Sequence, residues 1–277
     1  QECERHCHLV SSAPSSDTCY RHPSRESFAL CQRCGNTICG ECQVPAAVGA
    51  HCPDCAGVRQ ARPARLVRPR RASGSPRATY ALLGILGVVF AAQWLTAGAV
   101  TEWLLYWPPL TAIEPWRMVT TVFVHSTGSL FHILFNGFSL YVLGTLVERL
   151  VGHGRFVTLF LLAGFGGSVA VLWLAPTVAV VGASGAIFGL FGALFVIQRS
   201  FGGANVQLLI VLALNLVMGF VVPGISWQAH IGGLITGAVV AGIMVATRRS
   251  EQKALQAGLV TALGAGLVAL TALRFLF

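Results

Sequence analysis

Gly182-Ala183-Ser184-Gly185 sets one hydroxyl between two glycines at the mouth of an apolar run, and Ala229-His230 sets an imidazole near the start of another. A serine is a poor nucleophile near neutral pH until a base such as histidine takes its proton. Both residues lie in sequence apolar enough for hydrocarbon, where a polar side chain is costly and marks a functional site by default. Taken singly, the serine reads as a helix-packing residue and the histidine as a satisfied core or proton-pathway group. Only the topology of the chain decides whether they meet.

The chain of 277 residues is 55% hydrophobic and 10% charged, whereas an ordinary soluble protein carries roughly 25% charge. With a mean hydropathy of +0.69 it reads as an all-α polytopic membrane protein. All nine cysteines precede the first apolar run, which separates a small polar N-terminal module from a membrane domain. The net charge of +9 does not point to nucleic acid. Its largest cluster, Arg59 to Arg77, abuts the first apolar segment, where arginines hold topology and touch anionic lipid.

Residues 1–18 lack the pattern of a secretory signal peptide and read as a flexible tail; Cys3 and Cys7 there are weak metal-ligand candidates. From Cys19 four pairs share a two-residue gap: Cys19 and His22, Cys31 and Cys34, Cys39 and Cys42, Cys52 and Cys55. Such pairs place two ligands on one tetrahedral ion, so eight ligands predict two zinc ions. The short spacers favour alternation, with Cys19, His22, Cys39 and Cys42 on one ion and Cys31, Cys34, Cys52 and Cys55 on the other. This interleaving resembles B-box-type zinc fingers. Every coordination position is filled by protein, so the zinc is expected to be structural, with no cofactor for catalysis. A cytosolic protein partner is the expected ligand of the finger, and reduced thiols place it in the cytoplasm.

Seven apolar runs follow, at 79–98, 118–147, 155–174, 184–198, 205–221, 228–246 and 255–274, each near the roughly 20 residues a bilayer requires. The second is overlong with a polar entry, and the fourth is short. With the N-terminus inside, the inner breaks hold Arg149, Arg155, Arg199, Arg248, Arg249 and Lys253, while the outer side receives only Arg117 and Arg274. That asymmetry predicts a cytoplasmic N-terminus, in a multi-pass protein of the cell membrane.

The second, fourth and sixth runs then travel from outside to inside, which puts Ser184 and His230 at similar shallow depth. His132 and Asn136, one helical turn apart, share a face high in the second run. Ser184 as nucleophile, His230 as base, and His132, Asn136 and the Ser184 N–H as oxyanion donors are the minimum parts of a hydrolase. No acidic residue is placed to orient His230, so a dyad is expected rather than a triad. The small faces around Gly185, Gly189 and Gly192, and around Gly233 and Gly237, permit close helix contact. A transporter is disfavoured because the polar residues gather near one face with no acid deep in the bundle. A zinc-finger membrane scaffold is the other rival.

Gly182-x-Ser184-Gly185, Ala229-His230 with Gly233 and Gly237, His132-x3-Asn136 and Trp116-Arg117 together resemble the rhomboid family of intramembrane serine proteases, in the family's order over roughly residues 80–247. Glu148-Arg149 is similar to the family's structural Glu-Arg pair. The resemblance implies a rhomboid-like six-helix core, here with a seventh C-terminal transmembrane helix. It implies a Ser184–His230 dyad, an oxyanion site at His132 and Asn136, and cleavage of single-pass transmembrane substrates near the outer membrane surface. The expected organisation is a tail (1–18), a double zinc finger (19–56), a basic linker (57–78), the protease core (79–247), and a cytoplasmic link with the seventh helix (248–277). The fifth run and Val222-Pro223-Gly224 are the expected gate for a substrate arriving from lipid.

Overall fold

The structure, a computed structural model, describes residues 17–46, 48–57, 75–202, 206–222 and 224–276. The expectations for Cys3 and Cys7, for most of the basic linker and for Pro223 fall outside them. The chain divides into two compact units, Gln1–Arg70 and Arg71–Phe277.

In the first unit two antiparallel ribbons, β1 (Thr18–Cys19) with β2 (His22–Glu26) and β3 (Val44–Pro45) with β4 (Ala50–His51), frame the cysteine pairs. Its buried centre is Ile38 with Cys19, Cys31, Cys39, Cys42 and Cys52. One aliphatic side chain cannot offset the ordering of some forty residues, so the module depends on its cysteines for a core.

The second unit is helical, as expected. Its spans are α1 (Arg77–Leu95), α2 (Leu130–Val151), α3 (His153–Leu174), α4 (Ser184–Ser200), α5 (Val206–Val221), α6 (Trp227–Ala246) and α7 (Lys253–Leu273). Five are long and apolar enough to cross a membrane, while α4 and α5 are shorter apolar helices. The unit is an integral membrane domain.

The second span starts later than the apolar run suggests. Residues 118–129 do not continue α2 but form a short helix at Arg117–Thr120, a 3-10 turn at Thr121–Phe123 and an irregular connection. The reason is polar: the hydroxyl of Thr121 donates to Val180 O (2.7 Å), and the hydroxyl of Ser168 donates to Met118 O (2.7 Å). These bonds hold the segment across the end of the bundle where α2, α4 and α6 begin, the upper end.

α4 is the central helix, buried on most sides, with α3 and α6 as its main neighbours. A Cβ on Gly233 would strike the backbone of Gly185, and one on Gly237 the backbone of Gly189, so α4 and α6 touch main chain to main chain. At the lower end Glu148 of α2 is buried and accepts from Ala78 N (2.9 Å), Thr79 N (2.7 Å) and Thr79 Oγ1 (2.6 Å), with His153 Nδ1 as a further partner. Its carboxylate thereby satisfies orphan N–H groups of the first turn of α1. A π-helical turn at Leu140–Gly144 brings Gly144 against Thr79. Also at the lower end, Arg155 Nε donates to Gln256 Oε1 (2.7 Å) and Gln256 Nε2 donates to Thr247 Oγ1 (2.8 Å), joining α3, α7 and α6.

Gly233→Val is expected to cost about 3 kcal/mol by forcing α4 and α6 apart. Gly258→Val on α7, where a Cβ meets nothing, should stay within about 0.5 kcal/mol of the parent. Thermal unfolding in detergent compares them, and equal stability would show that the close approach does not hold the bundle.

Candidate active site

Ser184 is the first residue of α4, reached through Gly182 at φ 120°. Gly182 N donates to Thr121 O (3.1 Å), which ties the turn to the polar segment above. A Cβ at Gly182 would lie 2.8 Å from His132 Nε2 and 4.0 Å from Asn136 Nδ2. Glycine therefore serves twice here, for its φ and for the room it leaves the imidazole. As the first residue of the helix, Ser184 has an N–H with no acceptor inside it.

His230 lies in the first turn of α6, whose start is capped by the hydroxyl of Ser226 accepting from Ala229 N (3.3 Å). Ser184 Oγ and His230 Nε2 are 3.0 Å apart. The imidazole is buried and stacks on Phe188 at 4.0 Å between centroids and 9° between planes. Its Nδ1 has no hydrogen-bond partner among the described residues. With the serine hydroxyl donating to Nε2, Nδ1 carries the ring proton.

His132 and Asn136 sit on α2 facing the same turn. Ser126 N donates to His132 Nδ1 (3.1 Å), so Nδ1 is the acceptor and neutral His132 carries its proton on Nε2, the nitrogen beside Gly182. Asn136 is buried, and its Nδ2 donates to His132 O (2.8 Å). Thus Ser184, His230, His132 and Asn136 gather at the upper end, with His132 Nε2 and Asn136 Nδ2 near Gly182 in the turn that leads to the serine.

The family model for the Rhomboid domain matches residues 112–247, a stretch that holds all four of these residues. Rhomboid protease GluP of Bacillus subtilis (strain 168) is 32% identical over 207 residues, 70% of this chain and 40% of that protein. RHOMBOID-like protein 6, mitochondrial, of Arabidopsis thaliana is 34% identical over 140 residues, 48% of this chain and 44% of that protein. The putative rhomboid protease YdcA of Bacillus subtilis (strain 168) is 33% identical over 138 residues, 48% of this chain and 68% of that protein. The chain belongs to the rhomboid family. It spans less than half the length of the first two of these relatives.

Within the rhomboid match further residues surround these four. His125, seven residues before His132, lies outside its helix, because α2 begins only at Leu130. It is fully buried in the preceding connection, held by Gln93, whose Nε2 donates to His125 O (2.7 Å), and its ring lies 5.2 Å from that of His132. Arg117 is buried, bonded to Glu114 and to the carbonyls of Glu102 and Leu105. Trp116 pairs with Trp103 (6.4 Å) on the surface, and Trp227 stacks on Phe220 of α5 (5.0 Å). Three contributors escaped the sequence reading: Phe188, Gly219 and Ser126. Phe188 was legible, four residues after Ser184 and so on its face. Gly219, whose Cβ would lie 3.2 Å from His230 Nδ1, left no local signal.

The cysteine unit of this rhomboid lies before the family match. Its ligand atoms form two groups, Cys19 with His22, Cys39 and Cys42, and Cys31 with Cys34, Cys52 and Cys55, each within 4.8 Å of one another. The seven described cysteines are free thiols. Cys34 Sγ and Cys52 Sγ are 3.7 Å apart, and His22 Nδ1 lies 3.3 Å from Cys39 Sγ and 3.5 Å from Cys42 Sγ. Edges of about 3.8 Å between sulfurs are what a tetrahedron with 2.3 Å metal–sulfur bonds requires. Burial raises the Cys19 thiol, yet backbone N–H groups of Cys39, Arg21 and His22 draw it down to about 6; Cys42 is pushed up to about 12 by burial and by Cys19 and Cys39. Thiols crowded so closely cannot all ionise without a cation among them, and the donor set fits one.

Proposed function

We propose that this chain is an intramembrane serine endopeptidase that cuts single-pass transmembrane proteins near the membrane surface at its upper end. The observation that carries the reading is the 3.0 Å contact between Ser184 Oγ and His230 Nε2 inside an apolar bundle. As Oγ attacks the scissile carbonyl, its proton passes to His230 Nε2. The oxyanion of the tetrahedral intermediate accepts from His132 Nε2–H and the Ser184 N–H, with Asn136 supporting His132 through its backbone and standing close enough to donate. His230 then protonates the leaving amine, leaving an acyl group on Ser184. In the second half-reaction His230 takes a proton from the water that attacks the ester and returns it to Ser184 Oγ as the new carboxyl terminus leaves. His230 needs no carboxylate for this cycle, since Phe188 holds its ring.

The cationic side chains support an orientation. Arg77, Arg149, Arg155, Arg199, Arg248, Arg249 and Lys253 belong to the lower end, and only Arg117 and Arg274 to the upper. The lower end therefore faces the cytoplasm of a cell membrane and the dyad faces outward, and the N-terminal module is cytoplasmic. Residues 79–247 form the protease core and 248–277 an appended link and helix. Residues 19–56 form a B-box-like unit with two structural zinc ions, 1–18 a tail and 57–78 a basic linker. The unit contacts a cytosolic protein. α5 is the route of entry, for among its described residues only Leu208 and Gly219 are buried.

In liposomes with a model single-pass substrate, Ser184→Ala and His230→Ala should each lower cleavage by about 10³-fold or more, and His132→Ala by about 10²-fold. Full cleavage by Ser184→Ala would leave the scaffold reading. A disulfide joining α2 to α5 should block cleavage of that substrate and restore it on reduction; unimpeded cleavage would exclude α5 as the gate. Elemental analysis should find two zinc per parent chain and one after Cys39→Ser with Cys42→Ser, with chelation melting the module's fold. A metal content unchanged by those substitutions would refute the ligand assignment.

A further inference from the structure

The seventeen residues of α4 separate its two ends by about 24 Å, so Ser200 lies at the opposite boundary of the apolar layer from Ser184. There the ends of α4 and α6 and the turn before α7 border an open cavity of about 560 Å³, lined by Ser200, Val245, Ala246, Arg248, Arg249 and Gln252. That volume falls in the range of small-molecule sites, about 300–1,000 Å³.

Its chemistry is unbalanced in two ways. Arg248 and Arg249 are exposed, and neither is ion-paired with a carboxylate among the described residues; Glu251, between them and Lys253, is engaged with the Ser250 hydroxyl. In the same wall Gln252 Oε1 is buried without a donor. The Ser200 hydroxyl donates to Ile197 O (2.7 Å) and so faces the space as an acceptor. Two guanidiniums call for an oxyanion they can grip in forked geometry. An amide oxygen and a hydroxyl lone pair call for an O–H or N–H. The terminal carbonyls of α4 and α6 each bring about half a negative charge to this end, which the two arginines outweigh.

We propose that this cavity binds a phosphate-bearing headgroup that also carries a hydroxyl or amine, as phosphoglycerol does. The phosphate lies against Arg248 and Arg249, and the hydroxyl donates to Gln252 Oε1. Val245 and Ala246 continue the wall toward the hydrocarbon, where the acyl chains of a phospholipid would run. The same chemistry could be met by a soluble phosphate ester.

Native mass spectrometry of the delipidated full chain in detergent tests the site. It is titrated with phosphatidylglycerol, with phosphatidylcholine, which has the phosphate but no donor, and with glycerol 3-phosphate. Phosphatidylglycerol should bind more tightly than phosphatidylcholine. Arg248→Gln with Arg249→Gln should weaken it about 10-fold or more, and Gln252→Leu, which keeps both charges, about 5-fold. Arg199→Gln with Lys253→Gln removes equal charge outside the cavity and should leave affinity within about twofold, the level set by general attraction to a basic face. Equal weakening by that control pair, or parent-like affinity in Gln252→Leu, would overturn the proposal, as would failure of both phosphatidylglycerol and glycerol 3-phosphate to bind. Glycerol 3-phosphate binding as tightly as the lipid, with the same variant pattern, supports the site and assigns it a soluble ester; tight lipid binding with weak glycerol 3-phosphate binding assigns it a membrane headgroup.

Discussion

The contact of α4 with α6, backbone against backbone, is the constraint from which the rest of the membrane unit follows. A side chain at Gly233 or Gly237 would fill space already held by the main chain of α4. Helices in lipid gain nothing from expelling water, so their association rests on packing at short range. The same contact fixes the chemistry. Ser184 and His230 are both in the first turn of their helices, and only helices that begin side by side leave 3.0 Å between Oγ and Nε2. Packing and proposed catalysis therefore share one cause, and residues far down the interface bear on the geometry of the dyad.

Polar groups in this unit are placed where the apolar layer ends, because within it each lost hydrogen bond costs several kcal/mol. At the lower end Glu148 closes the first turn of α1, and Gln256 joins α3, α6 and α7. At the upper end Gln93 holds the backbone of His125, and Arg117 gathers the carbonyls of the connection before it. The long connection between α1 and α2 is thus a built platform. It carries Ser126, whose N–H fixes the tautomer of His132.

What could be read from the sequence was what local spacing encodes. The paired cysteines gave their own partition, since short spacers disfavour neighbours sharing an ion, and the structure groups the same eight residues. Apolar runs located the spans, and the shared direction of the second, fourth and sixth foretold that Ser184, His230, His132 and Asn136 would lie at one depth. The start of α2 was not legible, because Met118 to Val124 are apolar enough to pass for helix and are kept out of it by bonds to Val180 and Ser168, distant in sequence. Which carbonyls Arg117 would take was hidden for the same reason: they come from a loop whose path no local pattern records. Gly219 is invisible without the fold, being one glycine among many until its backbone is found against His230.

That no acidic side chain stands beside His230 among the described residues has a physical explanation in these surroundings. A carboxylate at that depth would have to be taken out of water, at a cost that attraction to an imidazolium repays only with further hydrogen bonds. What a carboxylate supplies in a soluble triad is partly orientation, and here orientation comes from shape. Phe188, fixed by the same helix that carries Ser184, lies flat on the ring, and the backbone at Gly219 closes its far edge. Neither restraint carries a charge, and both are compatible with lipid. In the proposed cycle the electrostatic share of the task, stabilising a transient imidazolium, would fall to the oxyanion and to water at the upper end. A base held by packing is therefore suited to a site where an ion held by another ion would be expensive.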